Sequence, residues 1–186
     1  MSELGRRQKE AKASILVTEN ILNVDKPAIR EKILDFEDVL SEHPNAFFGD
    51  SDNCPLTHNF SNGIYVREIF IPKGTTLTGK IHKHSHPNFL MSGTVDVITE
   101  TGGRERLVAP MSMISAAGTK RVVHAITDVT WITVHRTDET DLEKIEEETI
   151  APTYEDYEKF KRQIGDKSIW NRISTFVNKQ FKISTK

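Results

Sequence analysis

Between residues 63 and 136 the chain is cut into short β-rich runs by turn residues, and this punctuation limits the fold more than any other feature. The runs are Ile64 to Ile71, Thr75 to His82, Phe89 to Glu100, Arg104 to Ala109, Met111 to Ser115, Arg121 to Ile126 and Val129 to Arg136. Pro72-Lys73-Gly74, Thr101-Gly102-Gly103, Ala117-Gly118 and Thr127-Asp128 separate them, and the Gly-Gly pair is the best tight-hairpin signal. Many short strands at such spacing predict an antiparallel β-barrel or sandwich. Ile64 to Ile71 carries apolar residues on both faces, so helices or a second subunit are needed to cover the outside of its sheet.

Helical periodicity flanks this region. Ile29, Ile33, Phe36 and Leu40 recur at steps of four, three and four, behind Pro27 and a capping Asp25, and predict a helix to about residue 42. Residues 1 to 14 are polar and at most weakly helical, and residues 43 to 63 read as a loop rich in Pro, Asn, Asp, Ser and Gly. Past residue 137, Asp138 to Asp141 lead into Leu142, Ile145 and Ile150, with Glu143, Glu146, Glu147 and Glu148 on a solvated face. Ile169, Trp170, Ile173, Phe176, Val177 and Phe181 then form a broad apolar stripe, which either packs on the chain's own barrel or is offered to another chain. The expected division is a helical extension and loop over 1–55, a barrel over 56–137 and a helical segment over 138–186.

Composition narrows the function classes. The net charge of −2 gives no basic footprint for a phosphate backbone, so nucleic acid is not an expected partner. No apolar run approaches the ~18 residues of a membrane span. The start lacks the apolar region of a secretion signal, and the one cysteine, Cys54, cannot form an internal disulfide; both point to the cytoplasm. Cys54 and His58 lie four apart with no second Cys/His pair, so a structural zinc is not expected there.

The chemistry-bearing segment is Gly79-Lys80-Ile81-His82-Lys83-His84-Ser85-His86-Pro87-Asn88, which holds three of the seven histidines at alternate positions. On one extended strand His82, His84 and His86 share a face and can hold a divalent transition metal, Zn, Fe, Ni or Cu. On the last run Val129, Trp131, Thr133 and His135 share a face, so His135 either looks into the barrel or is a hydrogen-bonded core histidine. Arg67 either points inward and joins a set of cations around imidazoles, or pairs outside with Glu68 or Glu105.

Histidine cluster, glycine seven residues on and a later Gly-containing turn resemble the cupin superfamily, whose first motif is Gly, five residues, His-x-His, three or four residues, Glu, six residues, Gly. Laid on Gly93, this motif puts His86 in the glutamate slot, His82 in the second histidine slot and Lys80 in the first. The second motif, Pro-x-Gly-x-x-His, falls on Ala116 to Arg121 and puts Arg121 in the last histidine slot. A two-residue slip instead pairs His82 with His84 and makes Asn88 the third ligand. The resemblance implies a mainly β protein, a cupin-type jelly-roll antiparallel β-barrel with helices at both ends.

The run Cys54-Pro-Leu-Thr-His58, Gly63-Ile-Tyr65-Val-Arg67-Glu68, Gly79-Lys-Ile-His82, His86-Pro-Asn88, Gly118-Thr-Lys120-Arg121, Trp131-Ile-Thr-Val-His135 is similar to uncharacterised single-domain cupin-like proteins of tailed bacteriophages. That similarity implies expression in the cytoplasm of a bacterial host, with virion association as a further implication. Two functions follow as expectations. The first is a pocket of Arg67, Lys80, Asn88, Arg121 and His135 that binds a small anionic molecule, with a divalent metal on His82, His84 and His86 or with metal-free isomerase or epimerase chemistry. The second is a non-catalytic structural or accessory phage protein, a homo-oligomer or a component docked on a phage assembly partner, in which the barrel is a scaffold.

Overall fold

A computed structural model describes residues 26–47, 50–100 and 103–181. The segment expected to be weakly helical over 1–14, the Asp25 cap and Gly102 lie outside these residues. Helix α1 spans Lys26–Ser41, and ten strands follow: β1 (Leu56–Ser61), β2 (Ile64–Ile71), β3 (Thr76–Thr78), β4 (Ile81–His82), β5 (His86–Ser92), β6 (Thr94–Thr99), β7 (Arg104–Val108), β8 (Met111–Ser115), β9 (Arg121–Ala125) and β10 (Val129–Arg136). Helix α2 (Leu142–Thr149), a two-residue strand β11 (Ile150–Ala151) and helix α3 (Tyr154–Phe181) complete the chain.

The strands form two antiparallel sheets, ordered β1-β2-β10-β5-β8 and β3-β9-β6-β7, with a small β11-β4 pair beside them. From β5 onward the chain crosses between the two sheets, with β5, β8 and β10 in the first and β6, β7 and β9 in the second, as in a jelly roll. The sheets do not close on each other, so the expected barrel is an open two-sheet sandwich. Three runs also divide differently. Phe89 to Glu100 is two strands, because Gly93 turns the chain from one sheet to the other with φ +86; a Cβ there would lie 2.2 Å from the Asp128 carbonyl oxygen, so glycine alone fits. Thr75 to His82 breaks at Gly79, and part of the expected loop before residue 63 is β1, which pairs with β2 from Leu56↔Ile69 to Ser61↔Ile64.

Between the sheets Cys54, Ile71, Leu90, Val95, Val97, Leu107, Val123, Ala125, Val129 and Trp131 form the core. The inner row of each strand changes character along its length: Ile71 and Ile69 give way to Arg67 and Tyr65 on β2, Leu90 to Asn88 and His86 on β5, Val129 and Trp131 to Thr133 and His135 on β10, and Ala125 and Val123 to Arg121 on β9. The register Thr133↔Arg67 and Thr133↔Asn88 brings these changes to one level, so the sandwich has an apolar end and a polar end.

The helices attach at the edges. Ile33 is the buried residue of the α1 stripe, and polar contacts do much of the docking: Glu37 accepts from Lys120 Nζ (2.7 Å) and Thr78 Oγ1 (2.6 Å), and Arg30 pairs with Glu100 (2.5 Å). Asp141 caps α2 by accepting from the amides of Glu143 and Lys144. On α3 Tyr157 is buried, whereas Ile164, Ile169, Trp170 and Ile173 are exposed, so among the described side chains the first turns do the packing on the sandwich. Phe176, Val177 and Phe181 of the expected stripe lie outside the described side chains. Among the described residues no helix is long and apolar enough to cross a membrane.

Candidate functional site

At the polar end the imidazoles of His82, His86 and His135 converge, each offering a nitrogen within 4.8 Å of the others. Ring centroids are 4.1 Å apart for His82 and His86, 4.6 Å for His86 and His135, and 5.1 Å for His82 and His135. Three elements supply them. His86 opens β5 and His135 is the penultimate residue of β10 within one sheet, while His82 ends β4, outside both sheets, and is held by pairing with Ile150 of β11. The Gly118 amide donates to the His82 carbonyl (2.8 Å) and the Lys83 amide donates to Thr149 (2.7 Å), which fixes this short strand from both sides.

Burial keeps the three rings neutral, because the imidazolium form loses its hydration there. His82 is pushed down to about 2, first by burial and then by its neighbours His86 and His135 and the charges of Arg67 and Arg121. His135 is pushed down to about 4 by burial, then by His86 and Arg67, and His86 is lowered by burial against a backbone hydrogen bond that raises it. Neutral imidazoles are the form that binds metal. His82 Nδ1 is buried with no hydrogen-bond partner among the described residues, so one polar atom of the cluster is unsatisfied by them.

Two guanidinium groups flank the imidazoles. Arg121 reaches inward from β9, donates through Nη2 to Ser115 Oγ (2.6 Å) and lies 5.9 Å from the Trp131 ring centre. Arg67 points inward from β2, and among the described residues its guanidinium has no hydrogen-bond or ion-pair partner. Burial lowers the pKa of both. Asn88, expected at the ligand, serves as a brace: it accepts from Trp131 Nε1 (2.9 Å) and donates to Ser115 Oγ (2.7 Å) and the His86 carbonyl (3.2 Å).

The other residues singled out in the sequence lie elsewhere. The chain bends at Lys83 and His84, so the alternation that put three histidines on one face does not run through the segment. His84 turns outward and meets the Phe160 ring of α3 edge-on at 5.1 Å. Lys80 is half exposed and paired with Glu146 of α2 at 2.5 Å, away from the imidazoles. Cys54 belongs to the core and His58 bonds Tyr65, so the two form no metal pair. Tyr65 escaped the sequence reading: it stacks against His135 at 6.1 Å, and its hydroxyl lies 2.7 Å from His58 Nδ1. Its place two residues from Arg67 on one strand was the available signal.

Sheet order decides the architecture. The fold is a jelly-roll-type sandwich of two antiparallel sheets, similar in part to cupin structures. No protein-family model matches the chain, and no curated protein matches it. Solved structures similar to part of the chain include ectoine synthase from P. lautus, with TM-score 0.46 and 16% identity over 56% of this chain and 79% of that one. The cupin domain of Schizosaccharomyces pombe Cnp3 has TM-score 0.41 and 14% identity over 49% and 69%. A putative ethanolamine utilization protein, EutQ, of Salmonella typhimurium has TM-score 0.41 and 15% identity over 50% and 80%. At these identities the likeness concerns the fold alone, and the comparisons provide no link to bacteriophages.

Proposed function

We propose that the protein binds a small anionic molecule at the polar end of the sandwich, together with a divalent transition metal on His82, His86 and His135. One observation carries this reading: three neutral imidazoles meet within 4.8 Å beside Arg67, a partly buried cation that has no ion pair among the described residues and only the longer-range fields of Glu146 and Asp50. Three nitrogen ligands with a position left open is the donor set of reactive metal sites, and it suits Zn, Fe, Ni or Cu. The unpartnered Nδ1 of His82 fits the same reading. A metal held there would supply Lewis-acid polarisation of a ligand oxygen.

A dication beside two guanidinium groups is repulsive at low dielectric unless an anion joins them. Arg67 and Arg121 offer a carboxylate or phosphate the charge-assisted bonds that anchor it. Metal and anion should therefore each raise the affinity for the other. Metal-free proton abstraction fits less well, because a general base works best with a pKa near the working pH. His82 near 2 and His135 near 4 fall far below it. The second reading, a scaffold whose helical ends engage a phage assembly partner, draws on the exposed Ile169, Trp170 and Ile173 of α3.

The test is metal analysis of protein purified without an affinity tag, followed by calorimetric titration of Zn(II) or Co(II) with and without malonate or inorganic phosphate. One metal per chain, lost in His82→Ala, His86→Ala and His135→Ala and bound more tightly with the anion, is expected. Wild-type protein that takes up no metal at micromolar concentration, with or without these anions, would remove the site and leave the scaffold.

A further inference from the structure

The two arginines at the polar end stand on opposite sides of the imidazoles. Arg67 comes from β2, where it lies opposite Thr133 of β10, one inward position below His135. Arg121 comes from β9 of the other sheet and crosses the gap to Ser115 Oγ on β8, the residue opposite His86 of β5. In the order β2-β10-β5-β8 the strands of Arg67 and Ser115 are the outer pair, about 14 Å apart at the backbone, and His135 and His86 lie between them. The reach of the two charges follows this order. After burial, the main cause, Arg67 is among the groups that lower His135, Arg121 lowers His86, and both lower His82.

Neither guanidinium has an ion-pair partner among the described residues. Arg121 donates to a neutral hydroxyl, and Arg67 feels Glu146 and Asp50 only at longer range. A metal on His82, His86 and His135 meets three neutral ligands, which leave the charge of a dication uncompensated beside these two cations. A single carboxylate or phosphate group reaches one side of the cluster and leaves the cation on the other side unpaired, and an unpaired charge away from water is costly. We propose, resting on the metal-and-anion reading above, that the ligand is a dianion with its two acidic groups at opposite ends of the molecule, one on Arg67 and the other on Arg121, and its middle across the imidazoles. Arginine suits both ends, because its planar fork matches a carboxylate or phosphate through paired N–H donors. The chemical class is an extended dicarboxylate or its phosphate-bearing equivalent.

The test is calorimetric titration of the full chain loaded with Zn(II), metal uptake being measured first. The probes are malonate, succinate, glutarate and adipate, with butyrate and inorganic phosphate as the single-centre controls. One dicarboxylate per chain should bind, the best of the series at least about tenfold tighter than butyrate or phosphate, the factor expected for one added charge-assisted contact. Arg67→Gln and Arg121→Gln, folded by circular dichroism, should each keep the metal and bring that dicarboxylate down to the affinity of butyrate. The wild-type series decides the matter by itself should either variant fail to fold. Protein that takes up no metal would overturn the parent reading and this inference with it. Protein that takes up metal but binds butyrate or phosphate as tightly as every dicarboxylate, holds two butyrates per chain with the affinity of one dicarboxylate, or keeps its preference in both arginine variants would overturn this inference alone.

Discussion

Acidification should weaken the fold in a window set by the imidazole cluster. In the unfolded chain each histidine takes up a proton near pH 6.5, whereas in the folded chain burial holds His135 near 4 and His82 near 2. Between these values the unfolded state binds more protons, so stability falls as pH falls. Each group contributes about 1.36 kcal/mol per pH unit below 6.5. At pH 5.0 that is roughly 2 kcal/mol for His82 and roughly 2 for His135, about 4 kcal/mol together. His86, lowered in the same direction, adds to the loss.

The carboxylates do not confuse this window. Asp96 is held low by Arg106 and Arg104, Glu139 by the amides of Asp141 and Thr140, and Asp156 by Thr153, and their ordinary values lie at or below 4.5. Urea unfolding at pH 7.5 and 5.0, with a chelator present, is the assay. With a slope of about 2 kcal/mol per molar urea, the midpoint should fall by about 2 M. His135→Gln should shrink the difference between the two pH values by about 2 kcal/mol, whatever its effect at either one. Equal midpoints at both pH values in wild type would show that the imidazoles are solvated and that no buried cluster exists.

Three further outcomes follow from the packing. Gly93→Ala should cost at least about 3 kcal/mol or prevent folding, because a Cβ meets the Asp128 carbonyl at a backbone angle that alanine resists; thermal melting reads this directly. Gly118→Ala places a methyl 2.4 Å from the Tyr157 ring, so hydrogen exchange in the first turns of α3 should rise while the core strands stay protected. Asn88→Ala leaves Trp131 Nε1 without its acceptor and Ser115 Oγ with Arg121 as its remaining donor, and should destabilise by about 1 to 3 kcal/mol, measured by urea unfolding.

The architecture was legible because alternation and turn residues are local signals. Ile64 to Ile71, Met111 to Ser115 and Val129 to Arg136 begin and end where the sequence places them. Placement was legible only where the expected residues lie on regular strands: Arg67, His86, Arg121 and His135 follow the inward phase of β2, β5, β9 and β10. The alternation did not place His84 and Lys80 because the segment around β4 is not one strand. Its bend comes from pairing with Ile150 and Ala151, residues far away in sequence that no local period reports. Closure failed for a similar reason, since whether two sheets join at their edges depends on long-range register. Tyr65 was overlooked because an inward aromatic on a strand looks the same in sequence whether it packs a core or stacks on a histidine.

The pairing of β4 with β11 also separates the architecture from the site. The two large sheets are complete at β10, whereas β4, which carries His82, pairs with Ile150 and Ala151 further along the chain. The sandwich and the position of one of the three imidazoles thus rest on different stretches of sequence. A chain ended anywhere between Arg136 and Ile150 would keep the fold's architecture and lose the element that positions its site.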